Sequence, residues 1–147
     1  MDIICDIDGT VADCTHRLHH ITGETKDWPA FFAESEHDAP ITTVISVVNA
    51  LHKSGHNIIF CTGRNEENRN ATVQWLYKHV GKWILEKQLY MRDHDDRRHD
   101  DEVKLDCLIE MQRCGYKPVL ALEDRSRVVA MWRTQGIQCF QVKEGDY

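Results

Sequence analysis

The stretch IICDIDGTVAD, residues 3–13, decides how the rest of the chain is read. Ile3, Ile4, Cys5 and Ile7 form an apolar, β-favouring run that reaches two acids, Asp6 and Asp8, and breaks at Gly9-Thr10. Such a run is a strand covered by helices on both faces, as in a parallel sheet. The carboxyl end of a strand in such a sheet is where ligand-binding groups emerge. If the strand continues through Asp6 and Asp8, both side chains point to the same side. Two carboxylates that close repel each other, so the chain needs a counter-charge to keep both.

Working outward, short β-like runs alternate with longer helical ones, the pattern of a parallel sheet with helical crossovers. Strands are expected at 3–7, 57–61, 87–91, 118–123 and 138–142. Helices are expected from Pro40, read as a first-turn proline, to Lys53, and over about 66–79, 101–113 and 125–134. Gly55, Gly81, Gly115 and Gly136 follow their ends. The carboxyl rim of this sheet then carries Asp6 and Asp8, Thr62-Gly63-Arg64, Arg92, and Glu123-Asp124.

The 147 residues make one domain of ordinary size, with 41% hydrophobic and 29% charged residues, as in a soluble globular protein. No apolar run approaches the roughly 20 residues needed to span a bilayer, so no membrane association is expected. The chain opens on its first strand with an acid at Asp2, so no signal peptide is read. The six cysteines include no CxxC pair and several lie in apolar runs, which reads as reduced and cytoplasmic. A net charge of −6 argues against tight non-specific DNA binding but leaves local phosphate capture open.

Asp6 and Asp8, with Asp124, form an all-oxygen set suited to Mg²⁺. At about 4 Å and an effective dielectric near 20, each unit-charge pair is worth roughly 4 kcal/mol, so a divalent ion offsets the repulsion and admits a phosphate dianion. With phosphate present, Asp6, ionised at neutral pH, is the candidate nucleophile. Asp8 is the candidate acid–base, with a pKa expected to be raised by its like-charged neighbour. Thr62, the amides near Gly63 and the Arg64 fork are expected to hold phosphoryl oxygens. Lys104 offsets charge on Asp6 and the transferring group.

DIDGT, CTGR, the lone Lys104 and EDR stand in the order of the four motifs of the haloacid dehalogenase (HAD) superfamily, and the DxDGT form resembles its phosphatase branch. DDEVK (100–104) and the segment from 120 to 147 are similar to the phosphatase domain of phage-type polynucleotide kinase–phosphatases. The resemblance implies a HAD-like Rossmannoid three-layer sandwich over residues 1–147. Its five strands, counted along the chain, stand in the order 5-4-1-2-3, with a small flap at about 14–39 and no large cap. It implies Asp6 as nucleophile, Asp8 as acid–base, and a Mg²⁺ held by Asp6, Asp124 and the Asp8 carbonyl. Arg17, Arg64, Asp100 and Lys104 match functional positions of that family, and Arg98 joins the substrate-binding set. The implied reaction removes 3′-phosphates from nucleic-acid ends, in the host cytoplasm if the chain is phage-encoded. No GxxxxGK[ST] loop occurs, so a free-standing phosphatase is expected.

Between Asp8 and Pro40 there is room for a flap but not for a closing cap. An open site admits the end of a polymer, which favours a polynucleotide or nucleotide over a sugar phosphate. The alternatives are a nucleotidase acting on free mononucleotides and a non-catalytic module that binds nucleic-acid ends. His16, His19, His20, His94 and His99 lack partnered cysteines and the HExxH spacing, so zinc is not read from them. Arg92, Arg97 and Arg98 are candidates for contact with a nucleic-acid backbone, while the acids around them offer internal salt bridges as the alternative. Trp28, Phe31 and Phe32 are read as flap core rather than as a surface for stacking a terminal base.

Overall fold

The structure is a computed structural model and describes residues 1–146. Strand β1 (Asp2–Cys5) alternates between two apolar layers: Ile3 and Cys5 join one core, Ile4 the other, and all are buried. Strand β4 (Asn57–Asn65) divides Ile58 and Phe60 from Ile59 and Cys61 in the same way. Both faces are covered, which is why these strands read as continuous apolar runs rather than as alternations. The first layer is completed by α2 (Thr42–Lys53) through Ile45 and Val48, and by α3 (Arg69–His79) through Val73, Trp75 and Leu76. The second is completed by α4 (Asp100–Arg113) through Val103, Leu108 and Met111, and by α5 (Ser126–Thr134) through Val128, Val129 and Trp132.

With β5 (Leu89–Arg92), β6 (Pro118–Arg125) and β7 (Gln138–Gly145), the main sheet runs β5-β4-β1-β6-β7, and every neighbouring pair is parallel. Read from the opposite edge, this is the expected order of the five strands. A two-stranded antiparallel ribbon, β2 (Ala12–Asp13) with β3 (Ala39–Pro40), stands apart from it. Between them lie a 3₁₀ turn at Thr15–His20, the short helix α1 (Trp28–Ala33) and a second 3₁₀ turn at Glu34–His37. Cys14, Ile21 and Phe31 give this segment an apolar cluster of its own. Among the described residues no helix is long and apolar enough to cross a membrane.

Several boundaries differ from the sequence reading, three of them for a plain physical reason. Strand β1 stops at Cys5 rather than Ile7, because the chain folds into a tight loop in which the Ile7 carbonyl accepts the amides of Thr10, Val11 and Ala12 (3.2, 2.9 and 2.9 Å). Gly9 sits in that loop at φ +83°, a conformation open to glycine. Pro40 belongs to ribbon strand β3, where a residue without an N–H is tolerated, and α2 starts two residues later at Thr42. Glu66–Asn68 form a 3₁₀ turn before α3 instead of its first turn, with the Glu66 carboxylate accepting from Arg69 Nε and Nη2, both at 2.7 Å.

Trp132 is fully buried where α5 meets the sheet, and among the described residues its indole N–H has no hydrogen-bond partner. Truncation to alanine leaves a cavity with no polar bond to lose. Trp132→Ala is expected to cost about 3–5 kcal/mol in urea unfolding, and a loss below about 1 kcal/mol would refute this packing.

Candidate active site

The carboxyl ends of β1, β4, β5 and β6 meet on one rim. Asp6 follows β1 and is 3% exposed. One of its oxygens accepts from Lys104 Nζ at 2.7 Å, the other from the Thr10 hydroxyl at 3.0 Å. Lys104, buried in the second turn of α4, also donates to Glu123 Oε2 at 2.8 Å and lies 3.3 Å from Asp100 Oδ2. The other Glu123 oxygen accepts the amides of Asp124 and Arg125, each at 3.1 Å. Asp6, Glu123 and Asp124 each bring a carboxylate oxygen into a group whose members all lie within 4.8 Å of one another. Three buried hard oxygen donors, with one ammonium shared between two of them, fit a divalent cation such as Mg²⁺.

Asp8 does not point beside Asp6, as strand alternation would have had it. Its Oδ1 accepts from Arg17 Nη2 and Arg64 Nη2, both at 2.6 Å, and from Arg64 Nε at 3.0 Å. The same two guanidinium groups grip a second carboxylate, Asp38. Its Oδ1 accepts from Arg17 Nε at 2.7 Å, and its Oδ2 accepts from Arg17 Nη2 and Arg64 Nη2 at 2.6 and 2.9 Å. His16 Nε2 lies 2.8 Å from Asp38 Oδ1. Arg17 Nη1 donates to the Phe31 carbonyl at 3.2 Å and Arg64 Nη1 to the Thr72 hydroxyl at 3.3 Å. Arg17 and Arg64 are fully buried, so the two residues expected to touch phosphate are found holding Asp8 instead.

The electrostatics of the two aspartates reverse the sequence expectation. Burial raises the Asp6 carboxyl, and the charge of Glu123 raises it further against the pull of Lys104, bringing it to about 7. Burial also raises Glu123, to about 7, with Lys104 again opposing. At Asp8, burial works in the same direction, but Arg64 and Arg17 override it and hold the carboxyl at about 2. Asp8 was expected high through repulsion by its neighbour; the two arginines make it low.

Gly63 is constrained by space: a Cβ there would overlap the Asp100 carboxylate, so the backbone passes that acid closely only as glycine. The Gly63 carbonyl accepts from Arg92 Nε at 3.0 Å, and the buried Thr62 hydroxyl accepts the Arg64 amide at 3.2 Å. Asp100 contacts cations on three sides, Lys104, Arg92 at 3.4 Å and Arg125 at 3.6 Å, which is the arrangement of a brace rather than of a phosphate contact. Arg98 is half-exposed and paired with Asp96 and Asp106, each at 2.6 Å. Asp6, Asp8, Thr62, Gly63, Lys104 and Asp124 line one cavity of about 690 Å³, whose walls also carry Arg92, Arg97, Arg98 and Arg125. A groove of about 730 Å³ beside β5 and α4 holds none of the acids of this group.

Two residues of the site received no role in the sequence reading. Glu123 was visible in the Glu-Asp doublet, but nothing local tells which of two adjacent acids faces inward. Asp38 lies in an acidic segment thirty residues after Asp8, and only the ribbon of β2 and β3 brings it home.

The family described as the polynucleotide kinase PNKP phosphatase domain matches residues 1–147. A protein provisionally named bifunctional polynucleotide kinase/RNA ligase, from Autographa californica nuclear polyhedrosis virus, is 29% identical over 131 residues, which are 89% of this chain and 17% of that protein. A chain of the Pnkp1/Rnl/Hen1 complex superposes with a TM-score of 0.81 at 30% identity, covering 99% of this chain and 46% of that one. The class C acid phosphatase of Bacillus anthracis shares the fold, with a TM-score of 0.67 at 15% identity over 99% of this chain and 67% of its own. This chain therefore spans under half the length of the first two relatives.

In the metal-free protein Asp6 and Glu123 keep protons up to about pH 7, whereas unfolded carboxyls release them near pH 4. The folded state then binds more protons between those values, so stability falls as pH rises through that window. The melting temperature in chelator is expected to fall from pH 5 to pH 8, less steeply in Glu123→Gln. Saturating Mg²⁺ should raise it more at pH 8 than at pH 5, and equal shifts at both would refute a cation held by these acids.

Proposed function

We propose that this chain, which belongs to the polynucleotide kinase PNKP phosphatase family of HAD phosphatases, removes terminal 3′-phosphates from DNA or RNA with Mg²⁺. One observation carries the reading: Asp6, Lys104, Glu123 and Asp124 converge at the floor of an uncapped cavity whose walls bear four arginines. The acids suit a metal-assisted phosphoryl transfer, and the arginines suit the phosphodiester backbone behind a terminal phosphate. The absence of a large cap suits a polymer end better than a small sugar ester. Such trimming restores a 3′-hydroxyl for ligation, in the host cytoplasm for a virus-encoded chain.

Asp6, Glu123 and Asp124, with the Asp8 carbonyl, would hold the cation, which supplies positive charge to phosphoryl oxygens that this acidic floor would otherwise repel. In the first half-reaction an Asp6 oxygen forms a bond to phosphorus as the ester P–O bond breaks, and the leaving alkoxide takes a proton from Asp8. In the second half, water attacks the aspartyl phosphate and gives its proton back to Asp8, freeing Asp6 and phosphate. Asp8 begins with a low pKa between its arginines, and a phosphate dianion arriving beside it raises its proton affinity. Lys104 balances charge on Asp6 and the transferring group, and the Thr62–Gly63 backbone offers amides to phosphoryl oxygens. Arg17, Arg64 and Asp38 position Asp8; Asp100 positions Lys104 and Arg92.

An oligonucleotide 3′-phosphate, compared with 3′- and 5′-mononucleotides at equal concentration, is expected to give the highest kcat/KM; preference for a mononucleotide would replace this reading with that of a nucleotidase. Asp6→Asn should lower turnover by more than about 10³-fold with the melting curve retained, and an active variant would eliminate the covalent route. Asp8→Asn is expected to slow alkyl phosphate ester cleavage by about 10²–10⁴-fold but an aryl ester much less, since an aryl oxide leaves without a proton. Equal losses on both esters would remove Asp8 as the acid.

A further inference from the structure

We propose that Trp28 is the stacking wall for the base of the nucleotide whose phosphate the site takes, an inference that rests on the polynucleotide-phosphatase reading. Trp28 lines the same cavity as Asp6 and Asp8 and remains 39% exposed. Trp75 and Trp132, by contrast, are 3% and 0% exposed and serve the two cores. The sequence reading assigned all three flap aromatics to packing, and that fits only Phe31, which is buried, and partly Phe32.

The indole is built into place. Asp27 caps α1 by accepting the Ala30 amide at 3.0 Å, and Pro29 stiffens the first turn. The Trp28 ring stacks on Phe32, with centroids 5.9 Å apart at 27°, and meets Phe31 edge-on at 5.7 Å and 87°. Phe31 in turn lies under Arg17, whose Cζ is 4.1 Å from the ring centroid and whose Nη2 holds Asp8. A flat aromatic surface is thus joined by three successive contacts, through Phe31 and Arg17, to the carboxylate proposed as proton donor.

Exposing this much indole has a cost in water that a flat, π-faced partner removes. The cavity has phosphate chemistry on its floor, cations on its walls and an aromatic side made by Trp28 with Phe31 and Phe32, with Lys26 Nζ 5.8 Å from the indole centroid and room at about 690 Å³ for a nucleotide. A sugar phosphate offers indole no π-face. A nucleobase does, and every base serves, so the wall selects for a base without selecting its identity.

The test compares an oligonucleotide with a normal 3′-phosphorylated terminal nucleotide against the same oligonucleotide with an abasic terminal residue. The wild-type protein is expected to favour the normal end by about 5- to 150-fold in kcat/KM, mostly through KM. In Trp28→Ala and Trp28→Leu that ratio should fall towards one, while Trp28→Phe keeps most of it. A packing role would lower both substrates together and leave the ratio intact; that result in Trp28→Leu, which keeps apolar bulk on Phe32, overturns the inference. So does equal use of the two ends by the wild type, which needs no variant to fold. If the wild type hydrolyses an aryl phosphate but neither oligonucleotide, the polynucleotide reading has failed and this inference falls with it.

Discussion

The ammonium of Lys104 sits among Asp6, Glu123 and Asp100, and these carboxylates outnumber the positive charge they share. Burying ions is costly unless each finds its complement, and an incomplete set is tolerated only where something else completes it. The fold concentrates this imbalance at the ends of β1 and β6, where the carboxyls of Asp6 and Glu123 respond by rising to about 7. Asp100 also has Arg92 and Arg125, but for Asp6 and Glu123 the Lys104 ammonium is, among the described residues, the cation within bonding distance. This shortfall of positive charge around Asp6 and Glu123 is what suits the site to a divalent ion.

The neighbouring cluster is built on the opposite rule. Asp8 and Asp38 face Arg17 and Arg64, two charges against two, with every guanidinium fork engaged. This balanced knot also fastens the segment after β2 to the sheet, because Arg17 and Asp38 come from that segment and Arg64 from β4. One arrangement therefore serves two ends: it orients the second aspartate and seats Phe31, against which Trp28 packs. Asp6 and Asp8, nearly adjacent in the chain, live in different electrostatic surroundings, and only such a division gives two like acids different tasks.

Much of this was legible in the chain. The apolar runs at 3–7 and 57–61, separated by helical periods, were sufficient for a parallel sheet covered on both faces, while its strand order came with the resemblance to the HAD superfamily. Asp6, Lys104 and Asp124 were legible because motif spacing places them at strand and helix ends. What the sequence hid was direction. The tight loop closed on the Ile7 carbonyl turns Asp8 away from Asp6, and alternation along a strand says nothing once the strand has stopped. Arg64 looked like a phosphate clamp because its position is right, but its guanidinium is fully buried against carboxylates. Asp38 carries no local signature at all; its importance arises from tertiary placement.

The first strand of the chain stands in the middle of the sheet, between β4 and β6. As the polypeptide emerges from a ribosome, β1 finds one partner after some sixty residues but waits for β6, beyond residue 118, to cover its other edge. Until then the nascent chain carries an open apolar edge and an acid at residue 6 with neither Glu123 nor Asp124 beside it. The acidic floor thus closes only when β1 pairs with β6 and brings together Asp6 and the Glu123-Asp124 doublet, acids that lie at opposite ends of the sequence order of the sheet.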